Sequence, residues 1–512
     1  MINNSHRLAL SLGVTALLVV GLFMLCGMTA RTAGADAGTL FVTPLGSGAA
    51  CTQAQPCALQ TALTQATDGD TLYLAGGTYT GAGDEVVKIT HSIIVYGGWD
   101  AAPAGPVVRD PAAHVTTLDG QGQRRVVYIS GDITPTLDGL TITGGNASSA
   151  TADAGLGGGI FSLDASPVIQ HNIVVSNSAS ITPTTFGNGG GIYLSYAPSS
   201  AIISGNLVLS NTAAVGASGH GGGIYLWQSD ATVRGNLVQG NTCPRYGAGM
   251  YVSGGAPRLM DNEIRGNVAG RNAGGIYTTE SSVLVQGNLI VGNVAGGNGL
   301  SWNGGGLLVV NGTSTITANR ILNNAAGSSG GLGLEMVGYF TVTNNVIAHN
   351  GSEGIMLWEP PLRGLIAHNT IAYNGGMGGI YLAYGYVTPT IVNNIVVSNT
   401  YGIYAHADAS GTLDHNDVWG NTAQDYGSPG ALEPGPHDIQ ADPRLVNPAG
   451  DDYHLRFGSP CIDVGVDAGV TTDLDGDPRP LGAGTDIGAD ERRMYVYLPL
   501  VLKNYPRKLE AG

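Results

Sequence analysis

Acidic side chains gather in one short stretch in the second half of the chain. Glu335, Glu353 and Glu359 lie there, and Trp358 and Arg363 accompany them. Two carboxyl groups about 5 to 10 Å apart can hydrolyse a glycosidic bond, one as general acid and the other as base or nucleophile. We therefore take Glu335, Glu353, Glu359 and Arg363 as candidate catalytic residues. The alternative is that they are solvated charges on loops.

A second acidic pattern, suited to metal binding, lies near the C-terminus. Asp473, Asp475 and Asp477 alternate along the chain, and Ca²⁺ prefers oxygen ligands. The later acidic ligand of an EF-hand loop is missing, so a turn containing Pro478 is the alternative. We expect no required cofactor and treat Ca²⁺ at the three aspartates as a hypothesis.

The elements that would hold these side chains are defined by a repeat of asparagines. A pair of asparagines five positions apart occurs ten times, and the first member of each pair is residue 172, 206, 236, 262, 288, 319, 345, 369, 394 or 416. Aliphatic residues stand three positions before and two positions after that first Asn in every pair. The core pattern is constant and the length between pairs varies, which is typical of a solenoid with variable loops.

These asparagines are predicted to be structural. In coils stacked at about 4.8 Å, amide side chains can hydrogen-bond in a ladder along the rod. We expect each Asn to lie at a tight bend, where its tolerance of the left-handed backbone conformation is useful. None of them is predicted to be catalytic.

Another strand in each coil begins with Gly-Gly-aliphatic, and the next residue is commonly aromatic. Alternation along a strand places that residue outside, so the pattern predicts an exposed aromatic stripe suited to stacking on sugar rings. The alternative is that loops cover the rings or that the rings stack on one another. With nearby aromatic residues included, the candidate carbohydrate-binding residues are Tyr193, Tyr225, Trp227, Tyr251, Tyr277, Trp358, Tyr381 and Tyr404, with Trp302 in a flanking loop.

The repeats of Gly-Gly-Gly-Ile-Tyr-Leu followed by Asn-x4-Asn resemble those of the right-handed parallel β-helix superfamily that contains the pectin lyases and polygalacturonases. The resemblance covers roughly residues 130 to 421 and implies an all-β, right-handed parallel β-helix. The segment from Leu40 to Leu74 is similar to the opening of secreted β-helix proteins, and within it 58–66 is predicted to form a short capping helix. The motifs at 475–480 and 486–491 resemble the C-terminal region called choice-of-anchor Q, which implies surface or secretion sorting.

The resemblance does not extend to a complete catalytic motif. His220 lies in the Gly-His-Gly sequence of the polygalacturonases, but the Asn-Thr-Asp, paired Asp and Arg-Ile-Lys motifs that accompany it are missing. The Ca²⁺-binding acids and basic residue of pectate lyases are not visible either. A further polar cluster, interpreted as surface at the end of the rod, contains His406, Asp408, Asp414, His415 and Asp417.

Composition and the termini restrict the class of protein. Of 512 residues, 82 are Gly and only 11% are charged, which favours turn-rich β structure. The formal net charge is −16, so we expect no nucleic-acid partner. An apolar run from Leu8 to Met28 followed by small residues is typical of a secretory signal, with an uncleaved anchor as the alternative. Cys51 and Cys57 are expected to pair in an oxidising compartment.

We divide the chain into a signal peptide (1–37), an N-terminal cap with the first coils (38–130), the β-helix repeats (131–425), an anchor-associated region (426–493) and a sorting tail (494–512). The first functional hypothesis is a monomeric, secreted or cell-surface protein that binds extracellular polysaccharide along its outer sheet. Its C-terminal tail would attach it to the cell envelope. The alternatives are a polysaccharide lyase or glycoside hydrolase acting in the same groove, and a structural or adhesive rod.

Overall fold

The computed structural model describes residues 37–493, except 184–185, 217, 297–303, 360–362, 385–386 and 428–431. Nearly all of the predicted signal peptide, the sorting tail and Trp302 lie outside these residues. The described chain is a right-handed parallel β-helix, which confirms the predicted fold class. No helix within the described part has the length and apolarity needed to cross a membrane.

Face 1 of the solenoid is formed by one strand of each coil. Its strands are Glu85–Ile89, Arg125–Ser130, Ile160–Leu163, Ile192–Ser195, Ile224–Trp227, Met250–Ser253, Leu332–Glu335, Ile355–Trp358, Ile380–Leu382, Tyr401–Ala405 and Gln424–Gly427. Two longer strands, Ile276–Gln286 and Leu307–Thr317, run through face 1 into face 2 and join the two faces into one 25-stranded sheet.

Face 2 follows face 1 along the chain. Its remaining strands are Thr39–Val42, Thr71–Ala75, Ile94–Trp99, Thr136–Asp138, Val168–Gln170, Ile202–Ser204, Thr232–Arg234, Arg258–Met260, Tyr339–Thr343, Arg363–Ala367, Thr390–Val392 and Thr412–Asp414. Strands of neighbouring coils pair in parallel and in register, as Ile169 does with Ile203.

Face 3 is a separate 13-stranded parallel sheet. Its strands are Gly77–Thr80, Thr116–Asp119, Leu140–Thr143, Ile173–Val175, Leu207–Leu209, Leu237–Gln239, Glu263–Arg265, Leu289–Val291, Arg320–Leu322, Val346–Ala348, Thr370–Ala372, Ile395–Val397 and Asp417–Trp419.

The remaining elements are short. One parallel sheet contains Ser178–Ser180, Thr212–Ala214, Thr242–Cys243, Val268–Ala269 and Val294–Ala295, and a second contains Gly187–Asn188 and Gly219–His220. The C-terminal region adds an antiparallel pair, Leu445–Asn447 and Asp452–Leu455, joined by a 3-10 turn at Pro448–Gly450. The α-helix is Leu59–Gln65; its Leu59 and Ala62 are buried in the core, as expected of a capping helix.

The core is a column of aliphatic side chains inside the three faces. All twenty aliphatic residues that flank the repeated asparagines are buried, as predicted. Cys51 and Cys57 form the predicted disulfide beside the N-terminal cap, whereas Cys243 and Cys461 are buried and free.

The asparagines form two ladders, one at each end of face 3. In the first ladder, Asn206 Oδ1 accepts hydrogen bonds from the Asn172 backbone N–H at 2.9 Å and from its Nδ2 at 3.1 Å. The same pattern continues coil by coil down to Asn416. A carboxylate ends each ladder, because the last coil needs only an acceptor: Asp438 accepts from Asn416, and Asp425 accepts from Asn421.

The predicted left-handed conformation belongs to a different residue. It is adopted by the residue immediately before each ladder Asn, for example His171 at φ 53° and Gly205 at φ 62°. All twenty residues in that position have a positive φ. The Asn itself therefore contributes its amide, and the preceding residue makes the turn.

The C-terminal region, residues 432–493, folds back onto the outer surface of face 3. Leu445, Tyr453, Leu455 and Ile487 pack there against side chains such as Val346. Two residues that immediately precede a ladder Asn form hydrogen bonds with this region. Asn344 Nδ2 donates to Thr472 O, and Asn393 Nδ2 donates to Val466 O, both at 2.6 Å. A buried ion pair between Arg479 and Glu491 at 2.8 Å also fixes this region, since Arg479 bonds Asn344 of the solenoid as well.

Candidate functional site

The aromatic stripe of face 1 is buried, which makes the prediction of an exposed stripe wrong. Tyr193, Tyr225, Tyr251 and Tyr277, here called the tyrosine column, are each at most 9% exposed. Their rings stack face to face, with centroids 4.7 Å apart for Tyr193 and Tyr225 and 5.2 Å apart for Tyr251 and Tyr277. Both parts of the alternative interpretation, ring stacking and covering loops, hold for this column.

Side chains from the segments that precede the face 1 strands complete the cover of the tyrosine column. Tyr246 stacks on Tyr277 at 5.0 Å, and His220 lies against both Tyr246 and Tyr251. Burial lowers the pKa of His220 to about 4, so the imidazole is neutral at pH 7. In this position His220 packs as part of the cover of the tyrosine column.

Two predicted sugar-binding tyrosines lie further along the same stripe. Tyr381 is 9% exposed and Tyr404 is half-buried, with ring centroids 5.7 Å apart. The expected exposure is therefore wrong for Tyr381 also, because its ring packs with Met356 and Ala383.

A second outward column of face 1, two residues further along each strand, is open to solvent at some of its members. We call it the outer column; in register order it contains Leu163, Ser195, Trp227, Ser253, Thr279, Val310, Glu335 and Trp358. Trp227 is exposed at 36%, and Trp358 is half-buried. Five coils, or about 24 Å at ~4.8 Å per coil, separate the two indoles. Between Trp227 and Glu335 stand Ser253, Thr279 and Val310, of which Ser253 and Val310 are buried.

Glu335 of the outer column has a second carboxylate, that of Glu359, near enough to affect it electrostatically. Glu335 stands beside Trp358 in the adjacent strand. Burial, and to a smaller extent the nearby Glu359 carboxylate, raise the pKa of Glu335 to about 7. A protonated carboxyl group beside another carboxyl group is the arrangement needed for a general acid and its partner.

The other two candidate catalytic residues lie apart from this pair. Glu353 is 5% exposed, and its carboxylate accepts hydrogen bonds from Ser329 N, Ser352 Oγ and Met377 N at 2.7 to 2.9 Å. Those bonds join three consecutive coils, so Glu353 has a structural role in the described chain. Arg363 is exposed at the start of its strand, opposite Tyr339.

The three aspartates proposed to bind Ca²⁺ do not converge. Asp473 Oδ1 accepts the backbone N–H groups of Asp475 and Asp477, and its Oδ2 accepts that of Glu491. Asp475 bonds His454 at 2.7 Å, and Asp477 pairs with Arg493. Each carboxylate thus has a different partner, because the intervening turn points the side chains apart.

The polar cluster at the end of the rod divides into separate groups. Asp414 bonds His415 at 3.2 Å and His437 at 2.9 Å, whereas His406 and Asp408 lie 3.9 Å from each other. Asp417 is buried and accepts a hydrogen bond from Cys461 Sγ at 3.1 Å. Sequence reasoning missed His437, because no local pattern links it to a coil that ends more than twenty residues earlier.

The chain belongs to the right-handed β-helix family. The family model described as "Right handed beta helix region" matches residues 126–319 and 296–427, more than half of the chain. No curated protein matches the sequence.

Three solved structures are similar in fold at low sequence identity. Pectate lyase Pel9A has 14% identity and a TM-score of 0.40, and the match covers 90% of this chain and 98% of that one. XylC in complex with xylose has 11% identity and a TM-score of 0.42, with 88% of this chain and 98% of that one covered. The PL6 family alginate lyase AlyGC has 14% identity and a TM-score of 0.37, with 80% of this chain and 54% of that one covered. Likeness at this level concerns the fold alone.

Proposed function

We propose that this protein binds a neutral extracellular polysaccharide along the outer column of face 1. The observation that carries the proposal is the pair of tryptophans, Trp227 and Trp358, on one straight line of in-register strands. Aromatic faces of this kind stack on apolar faces of sugar rings. The rigid solenoid holds them at a fixed separation, which suits an extended polymer.

Charge favours a neutral polymer over a uronate. The formal net charge of the chain is −16, and a surface of one sign repels a polymer of the same sign. Glu335 and Glu359 add acid groups beside Trp358. Xylan-like or glucan-like chains therefore suit the outer column better than pectin or alginate.

Affinity electrophoresis in gels containing a neutral or a uronate polysaccharide tests this proposal. Trp227→Ala and Trp358→Ala should each weaken retardation by the neutral polymer about tenfold, equivalent to ~1.4 kcal/mol. The matched control is Trp419→Ala, because Trp419 is similarly exposed, at 38%, but lies on face 3. Equal retardation of all three variants and the parent would contradict the proposal, as would retardation only by uronates.

A second candidate function is glycoside hydrolysis at the same column, favoured by the Glu335–Glu359 pair. A general acid must be protonated, and burial raises the pKa of Glu335 to about 7. Turnover should therefore fall as the pH rises above about 7 and should be lost in Glu335→Gln, which has no acidic proton to donate. Reducing-sugar release from neutral polysaccharides is the measurement, with the exposed Glu433→Gln as control. Full activity in Glu335→Gln would exclude this mechanism.

We also propose that the protein acts outside the cytoplasm and that its C-terminus attaches it to the cell envelope. The apolar N-terminal run and the Cys51–Cys57 disulfide support export. Fractionation of expressing cells, with and without residues 494–512, tests both parts. Release of the truncated chain into the medium is expected; retention of both chains in the cytoplasm would contradict the proposal.

A further inference from the structure

The C-terminal region brings together a histidine and several aspartates that are far apart in the sequence. His454 lies on the strand Asp452–Leu455, Asp475 lies in a turn, and Asp490 lies close to the end of the described chain. One potential ligand atom from each of His454, Asp475 and Asp490 lies within 4.8 Å of the other two. Around a tetrahedral ion with bonds of about 2.0 to 2.2 Å, ligand atoms lie about 3.4 Å apart, so small movements of these side chains would accommodate the ion.

The imidazole is oriented by a carboxylate on the side away from this centre. His454 Nδ1 lies 2.5 Å from Asp452 Oδ1, and Nε2 lies 2.7 Å from Asp475 Oδ2. Histidine ligands of metal ions commonly donate their other ring N–H to a carboxylate, which fixes the tautomer and the ring direction. Asp452 therefore directs Nε2 of His454 towards Asp475 and Asp490.

Asp490 is the least exposed carboxylate of the three potential ligands. It is 9% exposed, and its Oδ2 accepts a single backbone hydrogen bond, from Leu455 N at 2.8 Å. Among the described residues, no Arg or Lys forms an ion pair with it, whereas the neighbouring Asp477 and Glu491 pair with Arg493 and Arg479. An ionised carboxylate with this little exposure needs a positive charge nearby, and the charge that acts on Asp490 is that of a protonated His454, whose place a bound cation would take.

We propose that His454, Asp475 and Asp490 bind one divalent first-row transition cation, of which Zn²⁺ is the representative, and that Asp452 positions His454. One imidazole nitrogen and two carboxylates suit Zn²⁺ and its neighbours, whereas Ca²⁺ takes six to eight oxygens. Binding replaces the proton on Nε2 of His454, and that proton passes to solvent. A fourth position faces a cleft of about 330 Å³ lined by residues including Asp477, Arg492 and Arg493.

The ion would join three segments that meet only in the folded chain. These segments are the antiparallel strand, the turn at 473–477 and the stretch at 486–491, all on the outer side of face 3. Metal binding would therefore stabilise the C-terminal region on the solenoid.

The other cluster of histidine and aspartate is less suitable. Its potential ligand atoms, from Asp414, His415 and His437, also lie within 4.8 Å of one another, but the two imidazole rings stack on each other with centroids 4.6 Å apart. Both rings already bond Asp414. This cluster provides the matched control.

Isothermal titration calorimetry with Zn²⁺, on the tag-free protein treated first with a chelator, tests the proposal. One Zn²⁺ per chain is expected. Asp475→Asn and His454→Gln should each weaken binding at least about a hundredfold, and Asp452→Asn about ten- to a hundredfold. His437→Gln should leave binding unchanged.

Visible spectroscopy with Co²⁺ provides a readout that does not depend on heat. The parent and His437→Gln should show the d–d bands of a four-coordinate site, and Asp475→Asn should not. The Asp475 side chain is exposed, so its replacement should leave the fold intact. No Zn²⁺ uptake by the folded parent, or uptake that survives in both His454→Gln and Asp475→Asn, would overturn the proposal. Loss in His437→Gln with retention in His454→Gln would assign the ion to Asp414 instead.

Discussion

At the scale of single residues, the ladder asparagines carry an unusually large share of the buried hydrogen bonding. Asn288 is 1% exposed; its Oδ1 accepts two hydrogen bonds from Asn262, and its Nδ2 donates to Leu259 O and to Asn319 Oδ1. Every one of these partners is itself buried. The Asn288 amide therefore satisfies buried hydrogen-bonding groups in both adjacent coils.

Replacing a ladder Asn by Ala should be strongly destabilising. Asn288→Ala removes the acceptor of two Asn262 donors and the amide donor to Leu259 O, Gln286 O and Asn319 Oδ1, so we expect the free energy of unfolding to fall by about 3 to 5 kcal/mol. Urea denaturation followed by circular dichroism measures the change. The control is the exposed Asn447→Ala, expected within about 0.5 kcal/mol of the parent. A loss below about 1 kcal/mol in Asn288→Ala would show that the ladder is not important for stability.

A buried acid predicts a pH-dependent stability. Burial raises the pKa of Asp417 to about 7, whereas the unfolded chain has an ordinary value near 3.8. Between these values the folded state retains a proton that the unfolded state has lost. The free energy of unfolding should therefore fall as the pH rises from about 4 to about 7, by up to about 4 kcal/mol from this group.

Comparison of Asp417→Asn with the parent isolates this contribution. The asparagine cannot ionise, so its unfolding free energy should change less between pH 5 and pH 8 than that of the parent. The exposed Asp408→Asn should behave like the parent. Parallel pH profiles for Asp417→Asn and the parent would show that Asp417 does not hold its proton in the folded state.

At the scale of elements, one strand of face 1 presents two outward aromatic residues with different roles. Tyr225 is 3% exposed inside the tyrosine column, and Trp227, two positions later, is 36% exposed in the outer column. The strand geometry is the same at both positions. The difference arises because covering loops reach the first column and leave part of the second open.

The pair predicts a separation of stability from binding. Tyr225→Ala should lower the free energy of unfolding by about 3 to 5 kcal/mol, since a large buried ring leaves a cavity. Trp227→Ala should leave stability within about 1 kcal/mol of the parent but weaken polysaccharide binding. Thermal unfolding combined with affinity electrophoresis distinguishes the two variants. Binding by Tyr225→Ala is measured below the midpoint temperature of its unfolding. Loss of stability in Trp227→Ala alone would reverse these assignments.

At the scale of the whole molecule, the C-terminal region is a second layer on face 3. The Arg479–Glu491 pair is essentially inaccessible, with side-chain exposures of 0% and 1%, and Arg479 also bonds Asp486 O and Gly488 O. These bonds tie the end of the described chain to Asn344 in the solenoid. Removing one partner of such a pair leaves a buried charge without compensation.

Arg479→Met should therefore loosen the whole region. We expect a loss of about 3 to 5 kcal/mol in its local stability and faster proteolytic cleavage within residues 432–493, while the solenoid core stays protected. Arg493→Met, which removes an exposed pair with Asp477, should cleave at nearly the parent rate. Hydrogen exchange read by mass spectrometry locates the change. Unaltered protection in Arg479→Met would show that apolar packing alone holds the region.

The sequence by itself determined the solenoid, because each coil repeats the same local requirements. Aliphatic residues on either side of Asn172 or Asn206 must face inward, and the amides must meet their counterparts one coil away. The disulfide and the capping helix followed from short-range patterns of the same kind. Even there, the left-handed residue is His171 or Gly205 and not the Asn, a distinction that side-chain type alone does not reveal.

Only the tertiary structure decided which side chains reach solvent and which meet one another. Alternation along a strand places Tyr225 outside the coil, but it cannot show that loops cover the ring. The regular spacing of Asp473, Asp475 and Asp477 suggested one site, yet the fold sends them to three partners and joins Asp475 instead to His454 and Asp490. The repeat fixes contacts between neighbouring coils, whereas loop coverage and the return of the C-terminal region depend on segments without a repeat.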